Sequence, residues 1–184
     1  MTAPSRLIFA KTTMKPMETI NNAANIKKSL AIFLEMENLK FEIIEETEKR
    51  NLVYLRITNE QGTIGYWIDY HVDAYLIQFM SCSLQSVSEN KRSEVLRYYS
   101  LLNNNGSNWS SIHLNIENGI TYSKSSILVD DLEDLSLQII ARHFGINYQN
   151  LVNFFPGAMK INYGNYSGEE MYNEINNWTN STLN

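Results

Sequence analysis

Between residues 52 and 58 the chain alternates Val53, Leu55 and Ile57 with Tyr54, Arg56 and Thr58. That two-residue period predicts a strand with one buried face. Residues 40–47 carry Phe41 and Ile43 at the same spacing, and the polar turn Glu48-Lys49-Arg50-Asn51 joins the two segments. Asn59-Glu60-Gln61-Gly62 reads as a second hairpin turn, with Gly62 suited to a positive φ. Residues 63–70 and 74–82 read as two further strands, separated near His71-Val72-Asp73. Connections this short cannot make the crossover that parallel strands require, so the pattern predicts an antiparallel meander.

Helical spacing brackets the meander. Ile26, Leu30, Phe33 and Leu34 fall on one face of a helix that starts near Ala23 and stops at Asn38. Ser88 is placed as the N-cap of a second helix, with Glu89 in its first turn and Val95, Tyr98 or Tyr99, and Leu102 on its buried side. Asn103-Asn104-Asn105-Gly106 ends it. A strand pair at 111–115 and 119–129 turns at Glu117-Asn118-Gly119. A long helix then opens on Asp130-Asp131-Leu132-Glu133-Asp134, with Asp130 and Glu133 spaced as a capping box. Gly145 breaks or kinks that helix, Asn147 caps a second segment through Leu151, Val152 and Phe155, and Pro156-Gly157 closes it. Residues 1–21 read as a mobile tail, 22–156 as a single α+β domain, and 157–184 as a C-terminal extension. In that extension Met171, Tyr172, Ile175 and Trp178 give a short helix over 169–178. The predicted fold class is α+β, an antiparallel sheet flanked by helices in the order α-β-β-β(-β)-α-β-β-α.

Composition narrows the function. A hydrophobic share of 43% and a charged share of 19% in 184 residues describe a chain that folds around a core. The net charge of −5 offers no basic footprint for nucleic acid. Cys82 is the one cysteine, and no run of about 18 apolar residues occurs, so no membrane span is expected and a cytoplasmic protein is.

Reaction chemistry is sparse. His71 beside Asp69 and Asp73 is the nearest approach to a metal or proton-transfer site, but a turn is expected there, and a polar strand junction accounts for it. His113 alternates with Ser111 and Asn115 on a polar strand face. His143 follows Arg142 near a helix end, where a cation suits the dipole. The cluster Asp130, Asp131, Glu133 and Asp134 fits a first helical turn. Cys82 has no neighbour that would activate it, and no phosphate-binding glycine loop occurs. No catalytic, metal or cofactor residue is therefore assigned. Tyr66, Trp67, Tyr70, Tyr75 and Phe79 are more informative, because an antiparallel sheet with helices on one side leaves the other face for a partner. Tyr54, Trp67 or Tyr66, with Leu52 or Ile44, would favour dimerisation or protein binding. Tyr54, Tyr66, Trp67 and Tyr70 are the candidate partner contacts.

Leu101-Leu102-Asn103-Asn104-Asn105, followed by Ile112-His113-Leu114-Asn115-Ile116-Glu117-Asn118-Gly119-Ile120-Thr121-Tyr122, resembles the YbjN family, bacterial proteins of the type III secretion chaperone-like fold. The resemblance covers about residues 23–155. It implies a homodimer, no catalytic residues and a regulatory or chaperone-like role, since secretion chaperones of that fold bind partner polypeptides. The expected function is non-enzymatic capture of another polypeptide on an apolar sheet face or groove. The alternative is a small-molecule sensor or enzyme with a pocket between the sheet and the final helix, using His71 and Asp69. A purely structural dimer within a larger assembly is the third reading.

Overall fold

The computed structural model describes residues 23–59, 62–71, 74, 76–105, 110–129 and 136–182. Helix α1 (Ala23–Met36) precedes strands β1 (Phe41–Glu46), β2 (Arg50–Asn59), β3 (Gly62–His71) and β4 (Leu76–Ser86). A single 3₁₀ turn (Glu89–Lys91) leads into α2 (Arg92–Asn105), then β5 (Ser111–Leu114), β6 (Ile120–Leu128), α3 (Leu137–Tyr163) and α4 (Gly168–Thr182). The six strands form one antiparallel sheet in the order β1-β2-β3-β4-β6-β5. The α+β class and the element order expected from the sequence are met, with α4 as a fourth helix.

Two turns show why the meander closes where it does. Gly62 has φ 130° and Gly119 φ 72°, both in the region that favours glycine. A Cβ at Gly119 would lie 2.2 Å from the Val87 carbonyl oxygen, so that turn admits no larger residue without movement. Asn38, the expected stop of α1, has φ 52°.

The register assigns side chains to faces. Leu55, Tyr66 and Ser81 lie opposite one another, as do Val53, Ile68 and Phe79. These face α3, and Phe33 of α1 meets Phe144 of α3 edge-on with ring centroids 5.3 Å apart. Tyr66 and Tyr70 are both 0% exposed. The Tyr66 hydroxyl donates to the Phe144 carbonyl at 3.2 Å, and burial pushes its pKa well up. They are core residues, which corrects their expected place on a partner-binding surface. Alternation separates Tyr66 from Trp67, and the helices cover the Tyr66 side.

The core carries a polar seam between sheet and α3. Asn147, fully buried, donates through Nδ2 to Ser125 Oγ at 2.6 Å and to the His143 carbonyl at 2.9 Å. Its Oδ1 accepts from Ser110 at 2.8 Å and Ser123 at 3.2 Å, and its carbonyl accepts from Ser81 at 2.8 Å. Both protons and the oxygen of the Asn147 amide are engaged, so the seam fixes how α3 sits on the sheet without stranding a buried dipole. His143 joins through Nδ1, 2.9 Å from Ser125 Oγ. It is a buried member of this network, not the helix-end cation expected from Arg142-His143.

Three further expectations are corrected. Helix α3 runs through Gly145 and Asn147 without a break, and Pro156 lies inside it. A boundary at residue 156 would therefore cut a helix. The C-terminal residues belong to the domain: Met171 of α4 is in the core, the Gly168 N–H donates to Glu94 at 2.8 Å, and Arg97 pairs with Glu169. Gly157 is what lets α2 and α3 meet, since a Cβ there would lie 2.5 Å from the Tyr98 hydroxyl. The start of α3 is capped by Ser136, whose side chain accepts from the Ile139 N–H. The tail 1–21, the acidic segment 130–134 with its capping box, and the Trp178 side chain lie outside the described residues.

The sheet's edges differ. Asn103 closes the β5 edge: its Nδ2 donates to the Ile112 carbonyl at 2.8 Å, and the Ile112 N–H donates to its Oδ1 at 2.9 Å. At the other edge, β1 has a bulge between Ile43 and Glu45 and carries Glu42, Glu45 and Glu46. A bulge and edge charges both discourage pairing with another chain.

Candidate functional site

The sheet face opposite α3 is built by the other half of the alternation. Tyr54, Trp67, Met80 and Lys124 form one row across β2, β3, β4 and β6, and Leu52, Asp69, Gln78 and Ser126 the next. Among the described residues no helix packs on these positions. Tyr54 and Trp67 stack with ring centroids 4.4 Å apart and planes inclined at 44°. Gly65 makes room for them: a Cβ there would lie 2.9 Å from Cys82 Sγ and 3.3 Å from the Tyr54 ring. A glycine in the middle of a strand costs stability unless a neighbour's ring covers it.

Arg50, Leu52, Trp67, Asp69, Gln78, Met80 and Lys124 line a depression of about 220 Å³ on this face. Its polar side is organised by one ion-pair fork. Arg50 donates through Nε and Nη2 to the two carboxylate oxygens of Asp69 at 2.9 and 2.8 Å, and through Nη1 to Glu45 at 3.0 Å. The Asp69 hydrogen bond, outweighing burial, holds the guanidinium well above its ordinary value. Burial pushes the Asp69 carboxyl up, but the Arg50 hydrogen bond and the nearby His71 reverse this and leave it below its ordinary value. His71 Nε2 lies 3.1 Å from Asp69. The cluster thus presents fixed, mutually compensated charge beside an aromatic and thioether surface.

Burial pushes the Cys82 thiol up, against hydrogen bonds from the Trp67 side chain and the Gly65 backbone, so the thiolate is disfavoured. His113 stacks on Tyr122 at 5.2 Å and sits 2.6 Å from Ser111 Oγ; burial and then Lys124 lower its pKa. Among the described residues no three His, Cys, Asp or Glu side chains gather as a metal site. No described helix is long and apolar enough to cross a membrane.

Of the four expected contacts, the structure brings Tyr54 and Trp67 together on this face and places Tyr66 and Tyr70 beneath it. Asp69 and His71 also lie on this face. They therefore lie on the side of the sheet away from α3. Arg50, Gln78, Met80 and Lys124 were not singled out from the sequence. The hairpin register, counted outward from the connection between His71 and Leu76, is the signal that aligns Met80 with Trp67. No protein-family model matches the chain, and no curated protein matches it.

Proposed function

We propose that this is a non-enzymatic binding protein that holds a segment of another polypeptide on its open sheet face. The observation that carries the reading is the Tyr54–Trp67 stack with Met80 beside it, on a face that no described helix covers. Aromatic and methionine side chains at the centre of a surface are the anchors from which protein interfaces draw most of their energy. The Arg50–Asp69 fork would supply a rigid polar rim. The resemblance to the YbjN family and to secretion chaperones supports the same role, in the cytoplasm and as a homodimer.

The test compares wild type with Trp67→Ala in capture from a native lysate, followed by direct titration of whichever polypeptide is retained. Loss of that polypeptide by at least about tenfold in affinity, with an unchanged circular dichroism spectrum, is expected for a central aromatic anchor. Equal retention by both proteins would remove this face as the binding site. Sedimentation of the purified chain alone tests the homodimer.

A further inference from the structure

The strand registers set out a charge pattern on the open face. Glu42, Tyr54, Trp67, Met80 and Lys124 are successive partners across β1, β2, β3, β4 and β6. They form one row across the strands, with a carboxylate at one end, an ammonium at the other and three aromatic or thioether side chains between. Four strand spacings separate the two ends, about 19 Å.

Neither end charge is compensated within the fold. Glu42 is exposed and Lys124 half-buried, and neither side chain makes a salt bridge or hydrogen bond among the described residues. In the adjoining row Glu45 and Asp69 are both held by Arg50, so those charges already have a partner. The sheet edges also direct a partner onto the face. Asn103 occupies the backbone groups of Ile112 in β5, and β1 is bulged and acidic, so neither edge invites an added strand. Recognition then falls to side chains along the row.

We infer that the partner is an extended polypeptide segment lying across the strands on this row. A basic side chain sits over Glu42, a carboxylate over Lys124, and two apolar side chains cover Tyr54, Trp67 and Met80. In an extended chain the side chains of one face recur every two residues, about 6.6 Å. Residues six apart therefore meet the two ends of the row. The motif is a Lys or Arg and an Asp or Glu at positions i and i+6, in either order, with apolar residues at i+2 and i+4. Complementary charge at the ends sets which sequences fit, while the apolar centre supplies the adhesion. The inference rests on the reading of this face as a polypeptide-binding surface and adds the kind of sequence it selects.

A random dodecapeptide library displayed on phage, panned against the full chain, tests it. Wild type should enrich peptides with one charge of each sign six residues apart around two apolar residues. Lys124→Glu makes both ends of the row acidic and should enrich a cation at each flank. Glu42→Lys makes both ends basic and should enrich a carboxylate at each flank. By fluorescence anisotropy the labelled wild-type consensus peptide should bind either variant about fivefold more weakly, because an exposed attraction becomes a repulsion of similar size. Reversing the matching flank charge of the peptide should restore the loss. Flank charges that respond to neither substitution, in peptides whose binding is lost in Trp67→Ala, would overturn this motif and leave the face as the binding site. Enrichment of the same peptides by Trp67→Ala, or no enrichment by wild type, would overturn the reading of the face itself and the motif with it.

Discussion

Trp67 packs on Tyr54 across the β2–β3 pair at 4.4 Å, while Tyr66, its neighbour in the chain, reaches through the core to the Phe144 carbonyl. One peptide bond separates a surface anchor from a core residue, so the two substitutions should part in both binding and stability. Trp67→Ala removes one aromatic contact and should cost about 1 kcal/mol. Tyr66→Ala opens a cavity beneath α3 and leaves a buried carbonyl without its donor, and should cost about 3–5 kcal/mol. Urea midpoints of the two variants against wild type check this, and similar losses would mean the sheet face is assigned to the wrong side.

Strand alternation is legible in the β2–β3 hairpin because its register runs unbroken: Val53, Leu55 and Ile57 are inside, and Tyr54 is outside. What alternation cannot supply is which face receives the helices when both faces are aromatic, so it does not separate the buried Tyr66 and Tyr70 from the surface pair Tyr54 and Trp67. Ser81, Ser123, Ser125 and Asn147 were illegible for a different reason. Small polar residues read as surface, and only the satisfied hydrogen bonds across three elements make them tolerable inside. Their phase held a clue, since Ser81 shares the inward phase of Ile77 and Phe79. Gly157 and Pro156 read as a stop by local preference, but packing of Ala158 and Ile161 carries the helix on.

His143 makes the seam sensitive to pH. With Asn147 donating to Ser125 Oγ, the Ser125 proton is free to go to His143 Nδ1, which accepts it only while the ring is neutral. Burial, and then Arg142, lower the His143 pKa. The folded state thus binds this proton less readily than the unfolded chain, so its stabilising contribution is complete above the unfolded value of about 6.5 and is lost as pH falls below that and through the lower folded value. Urea midpoints should fall between pH 7.5 and 5.5 in wild type. The fall should be smaller in His143→Gln, with a residue from His113, whose pKa is also lowered. An identical fall in both proteins would show that His143 does not carry the effect.

Removal of residues 157–184 should unfold the protein rather than trim a tail. It would cut α3 at Pro156, delete Ala158, Ile161 and Met171 from the core and expose Tyr98. Loss of three buried apolar side chains costs several kcal/mol, comparable to the whole stability of a domain, about 5–15 kcal/mol. The milder Gly157→Leu forces a side chain against the Tyr98 ring and should lower stability by about 1–3 kcal/mol. Thermal melts of both variants decide the point, and a cooperative, wild-type-like transition in the truncated chain would show that the C-terminal helices are dispensable.

Asn103 closes the β5 edge by pairing both backbone groups of Ile112 with one amide, as a neighbouring strand would. The opposite edge relies on the bulge and glutamates of β1, which leave the ladder irregular rather than satisfied. Asn103→Ala should therefore act only at β5. Two lost hydrogen bonds cost about 1–3 kcal/mol, and the freed Ile112 N–H and carbonyl become a template for another chain's strand. Light scattering after size exclusion should show concentration-dependent species larger than those of wild type. Glu42→Lys at the other edge, which changes charge but frees no backbone group, should not produce them. Wild-type behaviour of Asn103→Ala across the concentration range would mean that α2 shields the β5 edge without the help of this amide.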